Sequence, residues 1–313
     1  MERKPLGSSG VEVTEIGLGG WEFEGEEERT PAAVRAIVEA SLESGSNWLD
    51  TAEVYHDNRN ELLLGKALSG LRDDVVLSTK VAPKPDGNGF RPSEVHAAAR
   101  ASLERLGNDR IDVYFLHWPD ETGVPLAETW GAMAALVEDG LVRAIGLSNY
   151  STADIESAHA QRNVDVIQQG LSMIDHLEER PVIGRCGELG IGAVIYEPLA
   201  SGVLSGAVRS GEDIKEKFGD DIEGWPFFQR LFAAGRMEKT MALVDGAHAM
   251  AHRLGATMPQ VAIAWVLAQP GVTSAICGTL NTDHVRDNVG AAELKLSQDD
   301  LAELDSLVAS AAS

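Results

Sequence analysis

Residues 111–149 open with Ile111-Asp112-Val113-Tyr114-Phe115-Leu116-His117. They continue through a helix-period segment from Leu126 to Glu138 with Gly140 behind it, and return in Val142 to Leu147 followed by Ser148-Asn149. A nearly continuous apolar run is what a parallel strand buried on both faces requires, and a helix between two such runs is the crossover that parallel strands need. Upstream the same rhythm gives strands at Ile16-Gly17-Leu18, Asn47 to Asp50 and Val75 to Thr79. Their helices run from about Thr30 to Ser44, Glu61 to Leu68 and Pro92 to Leu106. The first of these reads clearly: Thr30 caps it, Pro31 takes its first position, Val34, Ile37, Val38 and Leu42 form its apolar stripe, and Gly45 closes it. Downstream, Ser151 with Asp154 starts another helix, and Val164 to Ile167, Ile191 to Ile195 and Thr273 to Ile276 complete the strands.

Strands alternating with helices in this way predict an α/β fold of the (β/α)₈ TIM barrel type, with residues 1–313 as one domain. A doubly wound sheet would want a glycine-rich turn opening a helix, but Gly17-Leu18-Gly19-Gly20 runs into Trp21-Glu22-Phe23-Glu24. Ahead of the barrel, apolar pieces around Leu6 and from Val11 to Ile16, joined by Gly-Ser-Ser-Gly at 7–10, predict a hairpin. Residues 207–240 break the rhythm. Charged, glycine-rich and punctuated by Trp225-Pro226-Phe227-Phe228, they predict a long loop whose aromatics, with Trp21 and Trp118, wall a pocket.

Composition narrows the function. Against 26 Lys and Arg stand 49 Asp and Glu, a formal charge of −23, so no positive face is expected for nucleic acid or an anionic membrane. Cys186 and Cys277 provide no disulfide framework. The N-terminus shows no apolar signal core, and no run nears the roughly 18 apolar residues of a membrane span, so a cytoplasmic location is expected.

Polar residues gather at the strand ends, where a barrel builds its site. Asp50 ends one strand with Tyr55 five residues beyond, Lys80 ends the next, and His117 the one after. Ser148-Asn149, Gln168-Gln169 and Tyr196 follow on later strands. Each has a bland reading: an Asp that caps a helix, a solvated Lys, a satisfied core His. Converging on one rim, they describe proton transfer. A phenol of pKa about 10 is poorly matched to neutrality; an ammonium at Lys80 is expected to lower it, with Asp50 holding that charge in place. His117 would orient a carbonyl oxygen and Tyr55 would protonate it. Neither metal-ligand spacing nor a nucleophilic Ser elbow is present, so such a carbonyl polariser needs hydride from a cofactor. A Schiff-base lyase at Lys80 is the rival barrel chemistry, but Asp50 favours the charged amine, which cannot attack.

These residues give the chain a strong resemblance to the aldo-keto reductase family. The matching pieces include Leu49-Asp50-Thr51-Ala52-Glu53-Val54-Tyr55, Leu64-Gly65-Lys66-Ala67-Leu68, Ser78-Thr79-Lys80, Asp112 through Asp120, Gly146-Leu147-Ser148-Asn149-Tyr150, and Tyr196 through Gly206. The resemblance implies a barrel closed at its base by the N-terminal hairpin and a catalytic tetrad of Asp50, Tyr55, Lys80 and His117. It implies reversible reduction of aldehydes or ketones with hydride from NADPH. Ser148, Asn149 and Gln168 would hold the nicotinamide carboxamide and Tyr196 would stack on the ring, beside Gly20 and Trp21. Pro198, Leu199, Ser201, Gly202 and Leu204 would meet the pyrophosphate, and Gly278, Thr279, His284 and Asn288 the adenosine end. Trp21, Tyr55, His117 and Trp118 would face the small-molecule carbonyl or alcohol.

The chain departs from the family pattern at His56, where a Gly usually follows the Tyr, and at Gln168-Gln169-Gly170-Leu171, where relatives often read Gln-x-x-Tyr. Relatives that grip the 2′-phosphate of NADP carry Lys or Arg in the last strand's loop; Gly278-Thr279-Leu280-Asn281 has none, and Arg286 is the nearest strong cation. NAD is therefore permitted beside NADP. The alternatives on the same site are an NAD-dependent dehydrogenase of a sugar or alcohol, and a nicotinamide-sensing scaffold without turnover.

Overall fold

In the computed structural model, which describes all residues except 24–29, 85–88, 121–122, 176, 209, 219–225, 234 and 313, the apolar runs pair as parallel strands. An antiparallel hairpin of β1 (Arg3–Pro5) and β2 (Glu12–Thr14) comes first. The barrel follows as β3 (Ile16–Gly19), α1 (Pro31–Glu43), β4 (Trp48–Asp50), α2 (Arg59–Ala67), β5 (Val76–Val81) and α3 (Pro92–Leu106). It continues with β6 (Ile111–Leu116), α4 (Leu126–Glu138), β7 (Val142–Ser148), α5 (Thr152–Gln161), β8 (Val166–Gly170), α6 (Arg180–Glu188) and β9 (Gly192–Tyr196). The strands close in the order β10-β3-β4-β5-β6-β7-β8-β9, with β10 at Val272–Gly278. This is the (β/α)₈ barrel that the alternation predicts. The Thr30 hydroxyl accepts from the Ala33 amide and Pro31 opens α1, as read from the sequence.

The stretch between β9 and β10 differs from expectation. Residues 207–240 are not one long loop: they contain α7 (Gly211–Phe218) and α8 (Pro226–Leu231) and run into α9 (Arg236–Leu254). Phe228 and Leu231 lie three apart, so one turn of α8 buries both in the apolar core, where Phe228 cannot wall a pocket. Trp225 lies outside the described residues. α10 (Met258–Leu267) completes that crossover, and α11 (Thr282–Gly290) and α12 (Gln298–Ala312) follow β10.

Side chains alternate across each strand, and the alternation sorts two cores. Outward-facing residues pack under the helices. Inward ones form a separate apolar cluster of Trp48, Val76, Val113, Phe115, Ala144, Val166, Val194 and Ile276, which Leu6, Val11 and Val13 of the hairpin segment complete. The hairpin thereby plugs the barrel's N-terminal end. Two glycines make room for the largest rings. A Cβ on Gly17 would lie 1.8 Å from Trp48 Cδ1, and one on Gly146 would lie 2.6 Å from Phe115 Cε1. Small residues facing large ones are how a barrel interior fills without voids. Cys186 and Cys277 are buried and free. Among the described residues, no helix is long and apolar enough to cross a membrane.

Candidate active site

The inward faces change character at the C-terminal ends of the same strands. On β4, Trp48 faces the apolar plug and Asp50, two residues on, stands at the rim. On β5 the sequence Val76, Ser78, Lys80 climbs from apolar to polar in the same two-residue steps. Asp50 pairs in register with Ser78, which brings the carboxylate beside this strand.

Asp50 is the hub of a buried network. Its Oδ2 accepts from Lys80 Nζ at 2.6 Å, and its Oδ1 accepts from Ser78 Oγ at 2.5 Å and Gln168 Nε2 at 3.0 Å. Lys80 is fully buried, and its ammonium also donates to the Thr51 carbonyl at 2.8 Å and to Tyr55 Oη at 3.3 Å. The phenol ring packs 5.7 Å from the His117 imidazole and edge-on against Trp21 at 4.8 Å, and His117 in turn lies 4.4 Å from Trp118. Thus Asp50, Tyr55, Lys80 and His117 meet. Trp21 is 47% exposed and Trp118 37% exposed, so the aromatic rings packed on Tyr55 and on His117 are open to solvent.

Electrostatics correct one expectation. Tyr55 is not lowered by Lys80: burial pushes its pKa well above the ordinary phenol value, with Asp50, Glu22 and Glu197 pushing the same way. Lys80 sits closer to Asp50 than to the phenol, so its charge is held by Asp50 and does not offset the burial of Tyr55. Burial also lowers Lys80, opposed by Asp50. His117 falls well below the usual imidazole range, from burial first and Lys80 second, and is neutral at pH 7.

The remaining predicted residues lie around this quartet. Asn149 Nδ2 donates to the His117 carbonyl at 3.0 Å and to Ser148 Oγ at 3.1 Å, and Asn149 Oδ1 accepts from Tyr196 Oη at 2.7 Å. Ser148, Asn149, Gln168 and Tyr196 therefore form a continuous polar arc on β7, β8 and β9. Gln168 spends one amide hydrogen on Asp50. The Gly20 amide donates to the Asp50 carbonyl at 2.8 Å, which sets Trp21 beside Tyr55. Pro198 is buried, and the Gly202 and Leu204 amides both donate to the Leu199 carbonyl, so these two N–H groups already have partners. Ser201 Oγ donates to Glu197 Oε1 at 3.0 Å. Past β10, Gly278 and Thr279 lead to α11, where His284 Nδ1 is 3.4 Å from Thr279 Oγ1 and Asn288 is buried.

Sequence reasoning missed Ser78, Thr51 and Asn60 as supports. The Thr51 hydroxyl donates to Asn60 Oδ1 at 2.7 Å, and Asn60 Nδ2 donates to the Gly20 carbonyl at 2.5 Å. Strand parity would have found Ser78, which shares a face with Lys80. No local signal marks Asn60.

Two observations fit a ligand received at this rim. Buried His117 Nδ1 has no hydrogen-bond partner. Among the described residues, the non-glycine positive φ angles all fall in segments after β4, β7 and β9: His56, Asp57 and Asn58; Asn149; Glu197, Ala200 and Ser201. Strain of about 1–3 kcal/mol per residue, gathered at one rim, is held where a ligand is received. No group of three His, Cys, Asp or Glu among the described residues could hold a metal ion. A separate recess of about 500 Å³ is bounded by Asp175, Arg230 and Arg236, and the quartet does not line it.

The sequence model of the aldo/keto reductase family matches residues 15–309. The chain belongs to this family. It is also similar to a crystal structure of a thermostable aldo-keto reductase, Tm1743, in complex with the inhibitor epalrestat. The two share 29% identity and a TM-score of 0.77, over 98% of this chain and 100% of that one. Aldo-keto reductases are oxidoreductases that act on small carbonyl compounds and generally use nicotinamide cofactors, so this chain is an oxidoreductase of carbonyls.

Proposed function

We propose that this chain, acting as one domain over residues 1–313, reversibly reduces aldehydes or ketones to alcohols with Tyr55 as the proton donor. The observation that carries the reading is Lys80 Nζ bridging Asp50 Oδ2 at 2.6 Å and Tyr55 Oη at 3.3 Å. A nicotinamide dinucleotide bound along β7 to β10 would supply the hydride, or accept it in the oxidative direction. Ser148, Asn149 and Gln168 would hold its carboxamide and Tyr196 its ring face. Segment 198–204 and Gly278, Thr279, His284 and Asn288 would take the remainder.

The chain's own groups then divide the work. Neutral His117 orients the substrate carbonyl by hydrogen bonding, while Trp21 and Trp118 flank it. Tyr55, kept protonated by its raised pKa, gives its proton as negative charge builds on the carbonyl oxygen. The Lys80 ammonium, anchored by Asp50, stabilises the phenolate left behind. In the oxidative direction the same phenolate takes the proton back.

Tyr55→Phe tests the assignment. Turnover of a generic aldehyde should fall about 10²–10⁴-fold, while nicotinamide affinity by fluorescence titration stays within about 2-fold. Turnover retained in this variant would remove Tyr55 from the role of acid.

A further inference from the structure

We propose that the chain takes NAD(H) in preference to NADP(H), because the surface past β10 confronts a 2′-phosphate with carboxylates and sets the Arg of α11 against two of them. The proposal rests on the reading above that a nicotinamide dinucleotide lies across the rim. Its placement follows from barrel order. The quartet sits at the ends of β4, β5 and β6 and in the segments just after them, and the polar arc at the ends of β7, β8 and β9. A dinucleotide with its reacting ring at Tyr55 and Tyr196 directs its other end to the remaining arc, the segments after β9 and β10. That is also where (β/α)₈ barrels commonly hold phosphate, beside a short helix such as α11.

The groups there suit a hydroxyl better than a phosphate. From Gly278 to Gly290, Arg286 is the one Lys or Arg in the sequence. Its guanidinium reaches Asp283 Oδ1 at 3.2 Å and Glu43 Oε2 at 3.8 Å, so one positive charge is set against two negative ones. The Asp283 side chain is 87% exposed and faces solvent as an acceptor. Leu280, 42% exposed, stands where the loop could have carried a cation. Asn281 Oδ1 accepts from the Asp283 amide, so that side chain is spent capping α11. At the strand end itself the Glu22 carboxylate packs over Gly278, close enough that a Cβ there would lie 1.8 Å from Oε2.

A 2′-phosphate brings up to about two negative charges and needs charge-assisted donors. A ribose 2′-hydroxyl is itself a donor and is satisfied by a carboxylate. The formal charge of −23 weighs in the same direction, since it opposes the more anionic cofactor over longer range.

The test is a titration of the intact protein with NADH and with NADPH, following tryptophan quenching, at about 20 mM and about 200 mM salt. NADH should bind about 10-fold or more tighter than NADPH at low salt, and the gap should narrow as salt screens the repulsion. Leu280→Arg and Asp283→Asn, each checked for an unchanged melting temperature, should tighten NADPH binding, Leu280→Arg by about 10-fold, with NADH changed by no more than about 2-fold. Tighter binding of NADPH than NADH by the unaltered chain overturns the proposal. So does an NADPH affinity that neither substitution moves. Failure to bind either dinucleotide would instead overturn the reductase reading on which it rests.

Discussion

The two ends of the barrel are built from the same strands and obey opposite rules. At the base, Trp48, Val76, Val113, Phe115 and the hairpin residues Leu6, Val11 and Val13 form a dry plug. At the rim, two or four residues along the same inward faces, Asp50, Ser78 and Lys80 form a buried polar network, with buried His117 packed against Tyr55 beside them, next to strained backbone. The base gains stability from burial, roughly 1.5–3 kcal/mol for each large apolar side chain. The rim holds a charged pair out of water, and removing one partner is far more costly than the pair's net contribution. The apolar packing lies at one end and the proposed reactive groups at the other, within about two turns of strand alternation. The division suits a barrel in which loops vary while the packed end holds the shape.

The contrast can be broken most sharply at Lys80. Lys80→Met should cut turnover about 10²–10⁴-fold. It should also lower unfolding free energy by about 3–5 kcal/mol, because Asp50 is left buried and unpaired. Adding Asp50→Asn should return part of the stability and none of the turnover. Denaturant unfolding and a carbonyl-reduction assay read the two effects separately, and recovery of turnover in the double variant would mean that the ion pair is dispensable.

A smaller effect is expected from the base. Gly17→Ala should cost about 1–3 kcal/mol by forcing the Trp48 ring aside, with turnover per folded molecule within about 2-fold. An unchanged melting temperature would show that the Trp48 ring is free to repack.

The smallest effect concerns pH. The unfolded chain protonates His117 as pH falls through about 6.5, whereas the folded chain holds this imidazole neutral to well below that value. The unfolded state therefore binds more protons, and folding weakens as pH drops below about 6.5, by at most about 1.4 kcal/mol per pH unit. Glu53 and Asp165, raised by burial, act in the opposite sense, their contributions being lost as pH rises through their folded pKa values. Comparison with His117→Gln at pH 7.5 and 5.5 isolates the imidazole: the variant should lose less stability on acidification. An equal loss in both proteins would mean that His117 titrates normally in the folded chain.

Much of this was legible beforehand. The strand runs from Ile111 to Leu116 and Val142 to Leu147 need no partner to be recognised, because a strand buried on both faces must be apolar along its length. The rim residues were legible for a related reason, since a polar residue ending such a run has only the barrel mouth to face. Residues 207–240 were misread because α7 and α8 are short, α7 is dense in charge, and their few buried positions, such as Ile214, Phe228 and Leu231, show a helical period only when the packing partner is known. Asn60 escaped notice because its hydrogen bond to the Gly20 carbonyl spans forty residues of chain.

By itself the sequence determined the alternation of elements, the identity of the four rim groups and the acidic balance, because these depend on local period and on composition. Tertiary structure alone decided that Lys80 lies nearer Asp50 than Tyr55, that the phenol is pushed up and not down, and that Arg286 is met by Asp283 and Glu43. Those outcomes depend on distance and burial, which set how strongly charges act on one another, and only the closed barrel brings residues so far apart in sequence to the ångström separations at which they are settled.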